Sequence, residues 1–212
     1  KPRSFATGKI FTIKNRTEYH PEGLGYNLLA KVEGHDPVLK DEIIIIGGHL
    51  DHVGSCPDLM PGANDNASAV AVMLGVAQAM MKGEVKPKRT VLFAFFGAEE
   101  QGVKGSEFYL EHPVFDLNKT IGLINLDGVG SGDRIFALAG KNFPWLYAPL
   151  DKANASYIHR QLGTNYWSNV ARPRLDAARF LDKNIPSLSF SVSGLKLPYP
   201  TYHNTRDDLS II

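Results

Sequence analysis

Seven side chains that can bind a cation or move a proton stand where an apolar run gives way to glycine or to a loop: His49, Asp51, Asp65, Glu99, Glu100, Asp127 and His203. Singly, each has an ordinary explanation as a cap, a hydrogen-bonded loop residue or a solvated acid. Together they do not, because carboxylates gathered without counter-charge repel one another strongly. A bound cation removes the conflict. Two histidines and three carboxylates, with no cysteine among them, are the donor set of a borderline metal held by nitrogen and oxygen, zinc first, then manganese or cobalt. Charge favours a pair of ions, since Asp65, Glu100, Asp127 and a bridging hydroxide would balance two divalent cations. Ions roughly 3.5–4 Å apart would share one carboxylate and that hydroxide, making it a nucleophile at neutral pH. The spare glutamate can then take a proton from the bridging water and hand it to a leaving amine, as general base and then acid.

Such residues must be carried to one place. Glu42 is followed by four isoleucines, a short β-branched run that reads as a strand buried on both faces of a mostly parallel sheet. Gly47 and Gly48 end it with a sharp turn that leaves room nearby, and His49, Asp51 and His52 follow, at the strand end where open α/β sheets place their sites. The pattern repeats in Arg89–Gly97, which delivers Glu99 and Glu100, and in Thr120–Leu126, which delivers Asp127. Earlier, Lys9–Ile13 and Tyr26–Val32, separated by the turn-prone PEGLG, read as a pair of strands leading into the isoleucine strand. Asn66–Lys82 reads as a buried helix ending before Gly83, and Val103–Glu111 as a helix closed by Pro113. Arg134–Ala139 is an expected strand, Trp145–Ser156 a helix, Gln161–Arg174 a loop over the site, Ala177–Lys183 a short helix and Ile185–Val192 the last strand. Strands alternating with helices predict a three-layer α/β/α architecture with a central mixed, mostly parallel sheet.

At 212 residues the chain is read as a single catalytic domain over 1–212, which can be a piece of a longer protein since it begins at Lys1. Its 23 basic and 22 acidic side chains nearly cancel, and no run of one sign suggests a nucleic-acid or membrane-surface partner. Cys56 is the sole cysteine, which excludes an intrachain disulfide and a thiolate zinc cluster; it reads as a small loop residue. No stretch has the apolar length of a membrane span, no signal sequence precedes the first strand, and there is no internal repeat.

The segments GGHLDHVG, PGANDNASAV, FAFFGAEEQGVKGSEFY, INLDGVG and YHNTRDDL, in this order, resemble the dizinc aminopeptidases of the M28 class of metallopeptidases. They run from about Gly47 to Leu209, most of the chain. The resemblance implies a zinc-exopeptidase-like fold and a peptide substrate with a free N-terminus. It implies that His49 and Asp127 complete the shell of one zinc, that Glu100 and His203 complete the other, and that Asp65 bridges them. Glu99 would be the general base, and Asp51 would orient His49 from behind. A non-proline cis peptide between Asp65 and Asn66 is also implied, and a secreted or periplasmic location rests on the resemblance alone.

The chain departs from the family at Arg174-Leu175-Asp176-Ala177, where many relatives read Ser-Asp-His. Ala177 cannot donate a hydrogen bond, so Tyr166, Arg172 or Arg174 is the expected donor to the oxyanion of the tetrahedral intermediate. Tyr166, Trp167, Phe180 and Tyr199 are candidates for an apolar pocket or for the core. His52, one residue past Asp51, is expected to point away, and Asp207 and Asp208 to cap a helix. Removal of an N-terminal residue is the first functional reading. The near alternative is a carboxypeptidase or dipeptidase, which an arginine facing the site would favour. A glutaminyl cyclase-like transferase needs a single zinc, and a non-catalytic, receptor-like domain would have lost ligands or base.

Overall fold

Burial on both faces makes the isoleucine run the middle of the sheet: Ile45 has no exposed surface, and Ile43 and Ile46 are buried on opposite sides of it. A computed structural model describes residues 4–212 except 15, 17, 19, 21, 56, 85, 139–141, 164–174 and 194–200. The named elements among the described residues are, in chain order, β1 (Leu28–Val32), β2 (Ile43–His49), α1 (Ser68–Lys82), β3 (Thr90–Phe96), α2 (Lys104–Glu111), β4 (Thr120–Leu126), β5 (Arg134–Leu138), α3 (Pro144–Ala153), β6 (Gln161–Gly163), α4 (Asp176–Asp182) and β7 (Ser187–Ser193). The sheet runs β1-β3-β2-β4-β7-β5-β6. β3, β2, β4 and β7 are mutually parallel, while β1 and β5 pair antiparallel with β3 and β7.

Alternation along the strands sorts side chains to two helical layers. Ile43, Ile45, Leu92, Ala94, Phe96 and Leu123 pack against Tyr109 and Leu110 of α2 and Ala177 and Phe180 of α4. On the other face Ile46, Val91, Phe93 and Leu126 meet Ala69 and Met73 of α1, and Leu188 and Ala137 meet Leu146 of α3. The result is the three-layer α/β/α arrangement with a mixed, mostly parallel sheet. None of the described helices is long and apolar enough to cross a membrane.

Three expectations change. Lys9–Ile13 is not a strand: Ile10, Phe11 and Ile13 are all largely exposed. Its alternation pairs with no strand among the described residues, and β1 lies against β3 rather than β2. Gln161–Gly163 is a short strand on β5 instead of the start of a loop, while the rest of the expected loop over the site lies outside the described residues. Gly47 and Gly48 make no turn; they are inside β2, which continues to His49. Their use is close packing, since a Cβ on Gly47 would sit 2.8 Å from Phe96 Cε2 and one on Gly48 2.8 Å from the Leu126 carbonyl.

At the rim where β2 and β3 begin, the incoming loops are stitched together. The amides of His35 and Asp36 donate to the carbonyls of Pro87 and Lys88 at 3.0 and 3.3 Å. His49, Asp51, Glu99, Glu100 and Asp127 leave from the other rim.

Candidate metal centre

Parallel register brings the site together. His49 pairs with Phe96, so Glu99 and Glu100 emerge beside it, and Gly47 pairs with Asn125, so Asp127 emerges on the other side. Asp65 comes from the tight turn Ala63–Ala67 that precedes α1, and its peptide bond to Asn66 is cis. His203 arrives from the loop after β7.

The donor atoms form two groups that share Asp65. His49 Nε2 lies 3.2 Å from Asp65 Oδ1 and 3.8 Å from Asp127 Oδ1. His203 Nε2 lies 3.2 Å from Asp65 Oδ2 and 3.1 Å from Glu100 Oε2. Although close to two carboxylates, the buried His203 Nε2 atom has no partner in hydrogen-bonding geometry among the described residues. Donors gathered this closely are what a common cation arranges, and a tetrahedral shell with bonds of about 2.0–2.1 Å has edges of about 3.3 Å. The His49 Nδ1–H donates to the Asp51 carbonyl at 3.0 Å, which turns Nε2 toward the acids. Three overlapping groups of donors could hold a metal ion, His49 with Asp65 and Asp127, His52 with Asp65, Glu100 and His203, and His49 with Glu99 and Glu100, and their nitrogen and oxygen atoms suit an ion of the zinc type.

Electrostatics tells the same story. Burial would depress the His49 imidazole, but hydrogen bonds to Asp127 and Asp65 and the charges of Asp127 and Glu99 push it up to about 12, so that without a cation its Nε2 keeps a proton in the place a metal would take. Burial tends to raise the Asp65 carboxyl, and the surrounding imidazoles, His49 foremost, hold it below its ordinary value. Glu99 is pushed up to about 9, first by burial and then by Asp127, Asp176 and Glu100, against the pull of His49. Glu100 is raised by burial and by Asp65. This is an acid cluster short of positive charge.

The supports are mostly backbone amides. Asp51 Oδ1 and Oδ2 accept from the amides of Glu99 and Glu100 at 3.0 and 3.2 Å; its carboxylate is 3.7 Å from His49 Nδ1. Asp51 thus grips the loop bearing both glutamates and reaches His49 through its carbonyl. On the turn around Asp65, Asn64 Oδ1 accepts the amides of Gly130 and Ser131, and Asn66 Oδ1 accepts that of Gly128. Asn66 Nδ2 donates to the Leu126 carbonyl, so this turn is fastened to the strand end that carries Asp127.

Two residues do more than the sequence suggested. His52 points in, its Nδ1 donating to Glu100 Oε1 at 2.9 Å and leaving Oε2 toward His203. Asp207 caps no helix. It is fully buried, and its carboxylate accepts the amides of Asn64 and Asp65. Only Asp208 acts as a cap, to Ser210. A histidine one residue beyond the Asp51 position and a doubled aspartate after His203 were the available signals; neither reveals which backbone atoms they reach.

A cleft of about 200 Å³ opens over the site, lined among the described residues by His49, Asp65, Glu99, Glu100 and Asp127 together with Leu138, Leu175, Ser189, Ser191 and Tyr202. No lysine or arginine is among these described lining residues. Phe180 is in the core, packed on Phe96 and Tyr109, and not in the cleft. Tyr166, Trp167, Arg172, Arg174, Tyr199 and Cys56 lie outside the described residues.

The sequence model of peptidase family M28 matches residues 27–212. The chain is 35% identical over 132 residues, 60% of its length, to leupeptin-inactivating enzyme 1 of Streptomyces exfoliatus. It is 28% identical over 190 residues, 86% of its length, to leucine aminopeptidase 2 of Trichophyton rubrum. It spans 28% and 36% of those two curated relatives, about a third of their length. Among solved structures, an aminopeptidase from Aneurinibacillus sp. strain AM-1 superposes with a TM-score of 0.68 at 29% identity, over 88% of this chain and 43% of that one. The zinc aminopeptidase BSAP from Bacillus subtilis shares the fold with a TM-score of 0.71 at 24% identity, over 88% of this chain and 45% of its own. With nearly the whole chain matched and the fold shared, this protein belongs to peptidase family M28.

Proposed function

We propose that the chain carries the catalytic centre of a metal-dependent aminopeptidase that hydrolyses the N-terminal residue from peptides. The observation that carries this reading is the split use of Asp65, whose two oxygens face separate histidine–carboxylate groups at 3.2 Å each. His49, Asp65 and Asp127 would hold one zinc, and Asp65, Glu100 and His203 a second, with manganese or cobalt as possible substitutes. Bound there, the metal pair supplies Lewis acidity, polarising the scissile carbonyl and acidifying the attacking water.

Glu99 lies beside His49 and Glu100, one from each group, and burial raises its affinity for a proton. It accepts the proton of the attacking water and returns it to the departing amine. Asp51 fixes the Glu99 and Glu100 amides, so base and ligand keep their spacing. The substrate's α-ammonium is a cation, and the acids of the cleft suit it. A carboxypeptidase needs a cationic grip on a terminal carboxylate, for which the described lining offers no lysine or arginine. A cyclase working with one zinc would leave half of the shared set without a purpose. The names of the leucine aminopeptidase relatives favour an uncharged N-terminal residue, consistent with Leu138 and Leu175 in the wall.

The test is a panel of aminoacyl amides run beside N-acetylated peptides on zinc-loaded protein. Release from the free amines alone is expected; cleavage confined to the blocked peptides refutes the proposal.

A further inference from the structure

The turn that carries Asp65 is held from two sides. One side is the Asn64 and Asn66 fastening to residues 126–131. The other is Asp207, four residues after His203. Its Oδ1 accepts the Asn64 amide at 2.8 Å and its Oδ2 the Asp65 amide at 3.1 Å, while its own carbonyl accepts the Ala63 amide at 2.9 Å. Three successive amides of the turn therefore end on one residue. Asp207 and Asp65 are both buried, at 0% and 4% exposure, so water offers these amides little alternative.

Asp51 does the same for Glu99 and Glu100, a carboxylate spanning two consecutive amides. Asp207 differs in what it joins. The Asp207 amide donates to the Asn204 carbonyl at 3.1 Å, so the 203–207 loop is closed on itself. The carboxylate thereby links the loop bearing His203 to the turn bearing Asp65. We infer that Asp207 is a positioning residue of the metal centre, setting the distance between the shared carboxylate Asp65 and His203 and with it the affinity of the site formed by Asp65, Glu100 and His203.

This rests on the two-metal reading above, and the experiment keeps the two apart. Asp207→Asn preserves volume but turns an amide NH₂ toward one of the donors. Asp208→Ala, which removes only an exposed cap, is the control. Zinc content and affinity are measured by chelator competition, and the Co²⁺-substituted forms by visible absorption. With Asp207→Asn, the weaker-held equivalent is expected to lose about 10–100-fold in affinity, as for other outer supports of a metal, with an altered Co²⁺ spectrum. Asp208→Ala should match the parent. Parental affinity and spectrum in Asp207→Asn overturn the inference.

If Asp207→Asn does not fold, amide hydrogen exchange on the unsubstituted, zinc-free protein decides. The Asn64 and Asp65 amides should be protected to the level of β2, and exchange at the rate of surface loops overturns the strut. Failure of the parent protein to bind zinc would refute the metal reading while leaving that exchange result to stand.

Discussion

His203 and Asp65 meet at the rim of the sheet, Nε2 to Oδ2 at 3.2 Å, although one comes from a loop near the C-terminus and the other from the turn before α1. The second oxygen of Asp65 is equally close to His49. A carboxylate shared in this way cannot be removed from one group alone. Asp65→Ala is expected to release both metals on dialysis, and His203→Ala to release one. Elemental analysis of the dialysed proteins checks this, and full zinc retention by Asp65→Ala contradicts it.

Glu99, the proposed proton carrier, lines the cleft beside His49 and Glu100. Glu99→Gln keeps the shape of the side chain and removes its basicity. Turnover on a free aminoacyl amide should fall by roughly 10²–10⁴-fold, with zinc content unchanged. A variant that loses metal in proportion to activity would make Glu99 a ligand instead.

Gly47 lies against two large core side chains. A Cβ there would be 2.8 Å from Phe96 Cε2 and 3.1 Å from Leu123 Cδ1, at the heart of the sheet. Gly47→Ala is expected to destabilise the protein by about 1–3 kcal/mol through overpacking. Urea denaturation of the zinc-free protein measures it, and an unchanged midpoint argues that the core there is loose.

Asp176 is 1% exposed, neither of its oxygens has a hydrogen-bond partner among the described residues, and the nearby Ser106 hydroxyl donates to the Val103 carbonyl. Burial pushes its carboxyl from 3.8 up to about 7. The folded state thus holds this proton more tightly than the unfolded chain does. Its contribution is complete below about 3.8 and is lost as the pH rises through about 7. Asp176→Asn has no such proton to lose. It should be more stable than the parent by about 1–3 kcal/mol at pH 8, with the gap closing toward pH 4. A gap of the same size at both pH values rules out this account.

Much of the frame can be read from the chain because parallel strands buried on both sides leave uninterrupted apolar runs, as in Ile43–Ile46 and Val91–Phe96. His49, Glu99, Glu100 and Asp127 are legible for a related reason: they follow such runs closely, so strand order gathers them, whereas Asp65 and His203 come from turns. Lys9–Ile13 shows the limit. Alternation describes a surface that a sheet could use, and says nothing about whether a sheet edge receives it. Asp207 shows another, since its partners are peptide amides, which every residue possesses and no motif records. The three residues of β6 are too few to carry a period, and their pairing is set by the edge of β5. Gly47 and Gly48 show a further limit, since glycine serves a bend and a tight contact equally well, and only the positions of Phe96 and Leu126 tell them apart.

The stitched loops at 33–42 and 83–89 have a practical meaning. Their amide bonds join the starts of the central strands, at the rim opposite the one from which the acids and imidazoles depart. A dye, an affinity handle or a grafted peptide attached there is shielded from the chemistry by the full height of the sheet, so one region can be engineered while the other keeps working.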